Sequence, residues 1–335
     1  MIISRTPLRV SFMGGGSDLP SFYQQEPGAV VSTAINKYIY LTVNRKFDRG
    51  IRASYSVTEI VDRLGELKHE LIRESLRTTG VHEGIEITSI SDIPSSGTGM
   101  GSSSTYTVGL LNALHAYQGR HAGAERLARE ACQIEIDICR KPIGKQDQYI
   151  AAYGGLQFIR FNPDGTTFVD PIVCSPETKA ALQRRLLLFY TGITRSADPI
   201  LGEQQTNIAA KRDVRNSLRR MVQMAEQMRD SLCGNGLDSF GEMLHESWML
   251  KRSLAGGISN PRIDECYERA RRYGALGGKI LGAGGGGFLL VYAHEEYHAS
   301  IVSALSGLSL TPFGLEPQGS KIIYVEEGQC TPSGC

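Results

Sequence analysis

At 335 residues the chain exceeds the usual reach of one hydrophobic core, so its length predicts two domains. Its 36 Lys and Arg against 35 Asp and Glu leave a formal charge of +1, which excludes a global field for nucleic acid or an anionic membrane and leaves any anionic ligand to local groups. With 41% hydrophobic residues, no apolar run near eighteen residues and seven scattered cysteines lacking any Cys-x-x-Cys pair, the composition predicts a cytoplasmic globular protein with reduced thiols, no membrane span and no zinc site.

Leu8, Val10 and Phe12 alternate with Arg9 and Ser11, which predicts a first strand with Arg9 on its more polar face. The strand runs into MGGGSD, where Gly14, Gly15 and Gly16 bring Asp18 to its end. A strand pattern over 29–47 is too long to be flat and predicts a bend near Asn36. Residues 51–57 continue as strand, 63–79 read as one helix through Leu64, Leu67, Leu71 and Ile72, and Ile85 and Ile87 alternate in the strand that leads to Pro94.

The segment 94–117, PSSGTGMGSSSTYTVGLLNALHAY, organises the first half. Gly97, Gly99 and Gly101 permit tight turns and close approach of a bulky anion, because no Cβ intervenes. They open onto a helix through Val108, Leu111 and Leu114, whose N-terminus offers free N–H groups and a partial positive charge. Phosphate binding and simple helix capping both fit such a loop. It is not a Walker A sequence, since the lysine of that pattern is missing.

A helix over 123–139 carries Ala131, Cys132 and Ile138 on one face together with Glu135. A carboxylate there needs a partner or a cation unless it lies at the margin and reaches water. Asp147 heads a short helical turn, where it is either functional or an ordinary N-cap. The Pro/Ser/Thr-rich stretch 171–178 predicts the boundary between domains 1–175 and 176–335. Beyond it come a buried strand at RRLLLFYTG, a helical region over 199–229 whose Arg215, Arg219 and Arg220 read as a solvated face, a helix over 237–254, and another capped by Asn260 and Pro261. Gly282, Gly284 and Gly287 satisfy Gly-x-Gly-x-x-Gly literally, but the apparent order of helix, loop and strand is the wrong context for a dinucleotide. Those glycines instead let backbone of the second half approach the first half or a substrate. A strand over 321–325 follows, and the Gly/Pro/Ser/Thr tail over 326–335 predicts fraying.

Three motifs in order, RTPLRVSFMGGGSD, PSSGTGMGSSS and KILGAGGGG, resemble the GHMP kinase superfamily of galactokinase, homoserine kinase and mevalonate kinase. Within it, MGGGSDLPSFY, TGITRSA, HESWMLKRSL and ISNPRIDECY are similar to the D-glycero-D-manno-heptose 7-phosphate kinases. Galactokinases carry Gly-Glu-His-x-Asp where this chain has Gly15 and Gly16 before Asp18, which makes galactose an unsuitable acceptor. The middle motif is one residue longer between Pro94 and Gly99 than is usual, and Met100 replaces the commoner leucine.

The resemblance implies an α+β, two-domain fold: an N-terminal domain with a left-handed β-α-β crossover and a ferredoxin-like C-terminal domain. It implies ATP and Mg²⁺, with the loop Gly97, Gly99, Met100, Gly101, Ser102, Ser103 and Ser104 at the phosphates and Ser103 and Glu135 at the metal. Asp147 matches the family's general base, and Arg9 falls where relatives place a basic residue beside it. Asp18, with Gly15 and Gly16, would meet sugar hydroxyls, and Gly284 and Gly285 would approach the substrate. A small sugar phosphate as acceptor needs a cationic pocket, for which Arg195 and Lys251 are the candidates; Lys251 fits equally well as a snorkelling stem. Other acceptors, such as a fucose-like sugar or a mevalonate-like alcohol, and an inactive nucleotide-binding protein are the competing readings. No nucleic acid or membrane partner is expected, and a homodimer is compatible with the chain.

Overall fold

The computed structural model describes residues 1–94 and 97–326. Ser95 and Ser96 of the middle motif, and the tail 327–335 with Cys330 and Cys335, lie outside the described residues. In the first half the strands are β1 (Ile2–Met13), β2 (Gly28–Arg45), β3 (Ile51–Ser54), β4 (Thr58–Val61), β5 (Ile85–Ser91), β6 (Leu156–Phe161) and β7 (Thr167–Pro171). The second half supplies β8 (Leu186–Tyr190), β9 (Ala275–Ile280), β10 (Phe288–Ala293) and β11 (Ser309–Leu310), paired antiparallel in the order β11-β8-β10-β9. β12 (Lys321–Val325) returns to the first half and pairs with β1, so the large sheet runs β12-β1-β2-β5-β3-β4 with β6 and β7 branching from β2.

Most pairings are antiparallel, but β3 and β5 pair in parallel, joined by a connection that contains the helix Glu70–Thr79. β2 bends where expected: Pro7 pairs with Tyr38 and Leu8 with Ile35, so Asn36 and Lys37 form a bulge. One core runs from Val10 and Phe12 of β1 to Leu188 of β8 and Leu290 of β10, so the two sheets share buried apolar packing.

Several elements differ from the sequence pattern for identifiable reasons. The 63–79 helix is broken: a single 3-10 turn, Leu64–Glu66, precedes the α-helix Glu70–Thr79. Glu59 accepts the N–H groups of Lys68 and His69, which diverts the backbone between the two. The strand expected over 51–57 ends at Ser54, and residues 55–57 form the turn into β4. The helix Ala124–Cys132 widens into a π-helical segment, Gln133–Ile138, and the wider turn changes the phase. Ile138, expected inside, is 45% exposed, whereas Glu135 is fully buried. The last glycine-rich loop lies between β9 and β10, so its order is strand, loop, strand, which still lacks the helix a dinucleotide fold requires.

Candidate active site

Arg9 lies on β1 and is buried on the more polar side of that strand, facing Asp147, while Leu8, Val10 and Phe12 enter the apolar core. Its guanidinium donates from Nε to Asp147 Oδ1 and from Nη2 to Asp147 Oδ2, each at 2.7 Å, and from Nη1 to the Gly99 carbonyl at 2.6 Å. Asp147 is in the first turn of the helix Gln146–Tyr153, whose N-cap is Lys145. Its carboxylate is engaged by Arg9, and no side-chain cap bond is made at that helix start, so the simple N-cap reading does not hold.

Gly97, Gly99 and Gly101 have φ of +69°, +74° and +76°, a region closed to most side chains, and Gly101 leads directly into the helix Ser102–Tyr117. A Cβ on Gly99 would stand 2.4 Å from the Leu281 carbonyl, and one on Gly287 2.2 Å from that of Thr98. The two glycine-rich loops therefore press backbone to backbone, and this contact shapes the cleft between the halves. The cleft, about 530 Å³, is lined by Gly97, Gly99, Gly101 and Ser102 to Ser104, with Arg9 and Asp147 at one end. Met100 is an exception among the loop residues: its side chain is buried in the core, and only its carbonyl takes part, accepting the Arg9 N–H.

Ser103 Oγ donates to Glu135 Oε1 at 2.7 Å, and Gln148 Nε2 donates to Glu135 Oε2 at 2.5 Å. The marginal, water-reaching position for Glu135 is thus excluded: it is fully buried, and desolvation raises its carboxyl above the usual range. Among the described residues no Lys, Arg or His forms an ion pair with it. A buried carboxylate with a hydroxyl beside it and no cation is a donor set suited to Mg²⁺, which takes one or two protein oxygens and keeps its remaining ligands from water and phosphate.

A second cavity, about 480 Å³, opens beside Ser102 and Ser103 and is walled by Tyr55, His69, Tyr106 and Ile93. His69 stacks on Tyr106 with centroids 5.5 Å apart and meets Tyr55 edge-on at 4.6 Å, and burial lowers the His69 imidazole below its usual range. His69 also borders the main cleft, together with Lys68 and Lys141. Sequence reading missed this aromatic wall, since its three rings come from the β3–β4 turn, a helix cap and the second turn of the Ser102 helix, and no spacing links them.

On the far side of Arg9 and Asp147 is a small cavity of about 70 Å³ containing Asp18, Lys251, Gln146 and Gln204. Asp18 accepts the N–H of Gly16 at 2.9 Å and that of Gln146 at 3.3 Å, and desolvation raises its carboxyl. Lys251 is buried, so it is not a snorkelling stem, and burial lowers its amine to about 8 against the opposing pull of Asp18. Gly15 faces it: a Cβ there would stand 3.4 Å from Lys251 Nζ. Gly16, with φ of +110°, leaves room for Gln204.

Arg195 is not brought to Lys251. It borders the main cleft, and its guanidinium donates to the Gly284 carbonyl at 3.2 Å and to the Gly257 carbonyl. Gly284 lines the main cleft whereas Gly285 is buried; a Cβ on Gly285 would collide with the Arg195 guanidinium and one on Gly284 with the Ile258 backbone. Their missing side chains make room for the protein's own chain.

Residues 66–155 match the N-terminal domain of the GHMP kinases and residues 228–307 their C-terminal domain. The chain belongs to the GHMP kinases, and its activity class is that of an ATP-dependent kinase. It is 28% identical over 316 residues to the D-glycero-alpha-D-manno-heptose 7-phosphate kinase of Campylobacter jejuni, covering 91% of this chain and 93% of that protein. It is 27% identical over 320 residues to the bifunctional fucokinase/GDP-fucose pyrophosphorylase of Arabidopsis thaliana, covering 88% of this chain and 30% of that protein. The crystal structure of a D-glycero-D-manno-heptose 1-phosphate kinase from Bacteroides thetaiotaomicron superposes with a TM-score of 0.80 at 23% identity, over 98% of this chain and 100% of that one, which establishes the shared fold. Among the described residues no helix is long and apolar enough to cross a membrane.

Proposed function

We propose that the protein transfers the γ-phosphoryl group of ATP to the anomeric hydroxyl of D-glycero-D-manno-heptose 7-phosphate, giving the 1,7-bisphosphate. The observation that carries this reading is the position of the Arg9–Asp147 pair, which borders both the glycine-rich cleft and the small polar cavity. An acceptor hydroxyl at that seam has a carboxylate on one side and the triphosphate on the other, as in-line transfer requires. The acceptor itself rests on the similarity to the Campylobacter jejuni enzyme.

In this mechanism the N–H groups from Gly99 to Ser103 and the helix dipole hold the phosphates. The adenine ring of ATP stacks against the Tyr55, His69 and Tyr106 wall. Asp147 takes the acceptor proton, and Arg9 fixes the carboxylate in position while offsetting charge that develops on the transferring group. Ser103 and Glu135 would hold Mg²⁺, which would supply positive charge to offset that of the phosphates. An anomeric hydroxyl is more acidic than an ordinary alcohol, so a carboxylate can accept its proton late in the transfer. Cys132, Cys139, Cys174, Cys233 and Cys266 are free thiols, which supports a cytoplasmic location.

The 27% identity to a fucokinase favours a second reading, an anomeric kinase of a fucose-like sugar. Measuring ATP consumption with the heptose 7-phosphate, the unphosphorylated heptose, L-fucose and mevalonate separates these. The proposal expects the first to be used with the highest kcat/KM, and preference for L-fucose would replace it.

A further inference from the structure

The small cavity beside Asp147 contains polar atoms that the fold leaves unsatisfied. Gln204, on the helix Asp198–Ala210, is fully buried, and neither its Nε2 nor its Oε1 has a hydrogen-bond partner. Gln146 Oε1 and Ser11 Oγ are likewise buried and unpartnered. These groups converge: Gln146 Nε2 and Ser11 Oγ come within 3.6 and 3.7 Å of the point a Gly15 Cβ would occupy, and Lys251 Nζ within 3.4 Å of it. Gly16 packs directly on Gln204, where a Cβ would stand 2.3 Å from Nε2, so the backbone is shaped to admit this amide. Leaving a buried donor or acceptor unmade costs about 1–3 kcal/mol, so several in one cavity need a partner that the folded chain does not provide.

The chemistry of that partner follows from size and charge. A volume of about 70 Å³ has room for roughly two water-sized groups. The charged residues lining it are Arg9, Asp18, Asp147 and Lys251, two of each sign, so no cation is in surplus for a phosphate dianion. Lys279 lies behind the wall, where its amine donates to the Phe12 carbonyl at 3.1 Å, and burial pushes it well below the usual lysine range. Neutral amides with both a donor and an acceptor suit a pair of adjacent hydroxyls, each of which also donates and accepts.

Resting on the kinase reading above, we infer that Gln204 is a specificity-determining residue that binds a vicinal hydroxyl pair next to the reacting carbon of the acceptor, and that any acceptor phosphate is bound outside this cavity. A site built to hydrogen-bond a hydroxyl discriminates strongly against the analogue lacking it, because its buried groups are then left unpaired.

The test compares wild type and Gln204→Leu on D-glycero-D-manno-heptose 7-phosphate and its 2-deoxy analogue. Wild type should prefer the parent sugar, and the variant should lose about 10- to 100-fold in kcat/KM on the parent, mainly through the sugar KM, while the ATP KM stays unchanged and the preference over the analogue collapses. If the variant loses activity on parent and analogue alike, so that the preference is kept, Gln204 is only structural and the inference is overturned. Should Gln204→Leu fail to fold, Gln204→Met, closer in length, gives the same readouts. If wild type uses L-fucose in place of the heptose, the substrate reading fails by itself, and the same ratio is read with L-fucose and 2-deoxy-L-fucose.

Discussion

Arg9 grips Asp147 through two parallel bonds, Nε to Oδ1 and Nη2 to Oδ2, both 2.7 Å long, although 138 residues separate them in the chain. The same guanidinium holds the Gly99 carbonyl, so one side chain ties the first strand, the glycine-rich loop and the candidate base together. Asp147→Asn keeps the shape but removes the proton acceptor, and turnover should fall about 10²- to 10⁴-fold with ATP binding nearly unchanged. Arg9→Lys keeps the charge but loses the fork and should cost at least about tenfold in kcat. Single-turnover kinetics checks both, and an Asn variant keeping more than about a tenth of wild-type chemistry would remove Asp147 from the role.

The pair Ser103 and Glu135 predicts a metal dependence. Glu135→Gln and Ser103→Ala should each raise the Mg²⁺ concentration needed for half-maximal rate, because both oxygens would meet the same ion. Glu135 also sets a pH signature in the metal-free protein. Its carboxyl is raised by burial, so between the ordinary carboxylate value and the raised one the folded state holds a proton that the unfolded state has lost. Stability therefore falls as pH rises through that window, and Glu135→Gln should remove this part of the fall. Melting curves from pH 4 upward that run parallel for both proteins would contradict it.

Gly99 tests the contact between the glycine loops. With φ of +74° and the Leu281 carbonyl 2.4 Å from a Cβ, Gly99→Ala must move one loop off the other. Left-handed backbone alone costs about 1–2 kcal/mol, and the collision adds to it. The expected result is a lower Tm together with a raised KM for ATP. Gly119→Ala, with φ of +71° but open space around it, should lower the Tm less and leave the ATP KM unchanged.

Lys251 gives a prediction of opposite pH sense. Its amine is lowered to about 8 in the fold, so from there to its ordinary value the unfolded chain binds the additional proton and stability rises with pH. The cost of charging it at pH 7 is on the order of 3 kcal/mol. Lys251→Met should therefore gain most in Tm over wild type near pH 7, with the gain shrinking toward pH 10. A gap that does not change with pH would show that Lys251 is not held in this way.

The sequence made the motif residues visible because each motif is local: glycines for the turns, a serine run at a helix start and an aspartate after a strand. Glu135 stands out in the sequence as an acid on an apolar stripe, yet its depth is hidden, since the π-helical turn shifts the phase that a 3.6-residue period assumes. The surroundings of Arg195 are hidden for a different reason. An arginine after a buried strand looks free until the Gly257 and Gly284 carbonyls are known to occupy it, and those come from loops more than sixty residues further along. Tyr55, His69, Tyr106 and Gln204 carry no sequence signature at all. They come together only where separate elements converge, and β12 is likewise readable as a strand but not as a member of the first sheet.

The most direct test of the proposed transfer is phosphorus NMR of the product formed from ATP, Mg²⁺ and D-glycero-D-manno-heptose 7-phosphate. Wild type should yield a second phosphate resonance coupled to the anomeric proton, with the original 7-phosphate retained, and Asp147→Asn should form it about 10²-fold or more slowly. A new phosphate at any other carbon, or equal rates for the two proteins, would contradict anomeric transfer by Asp147.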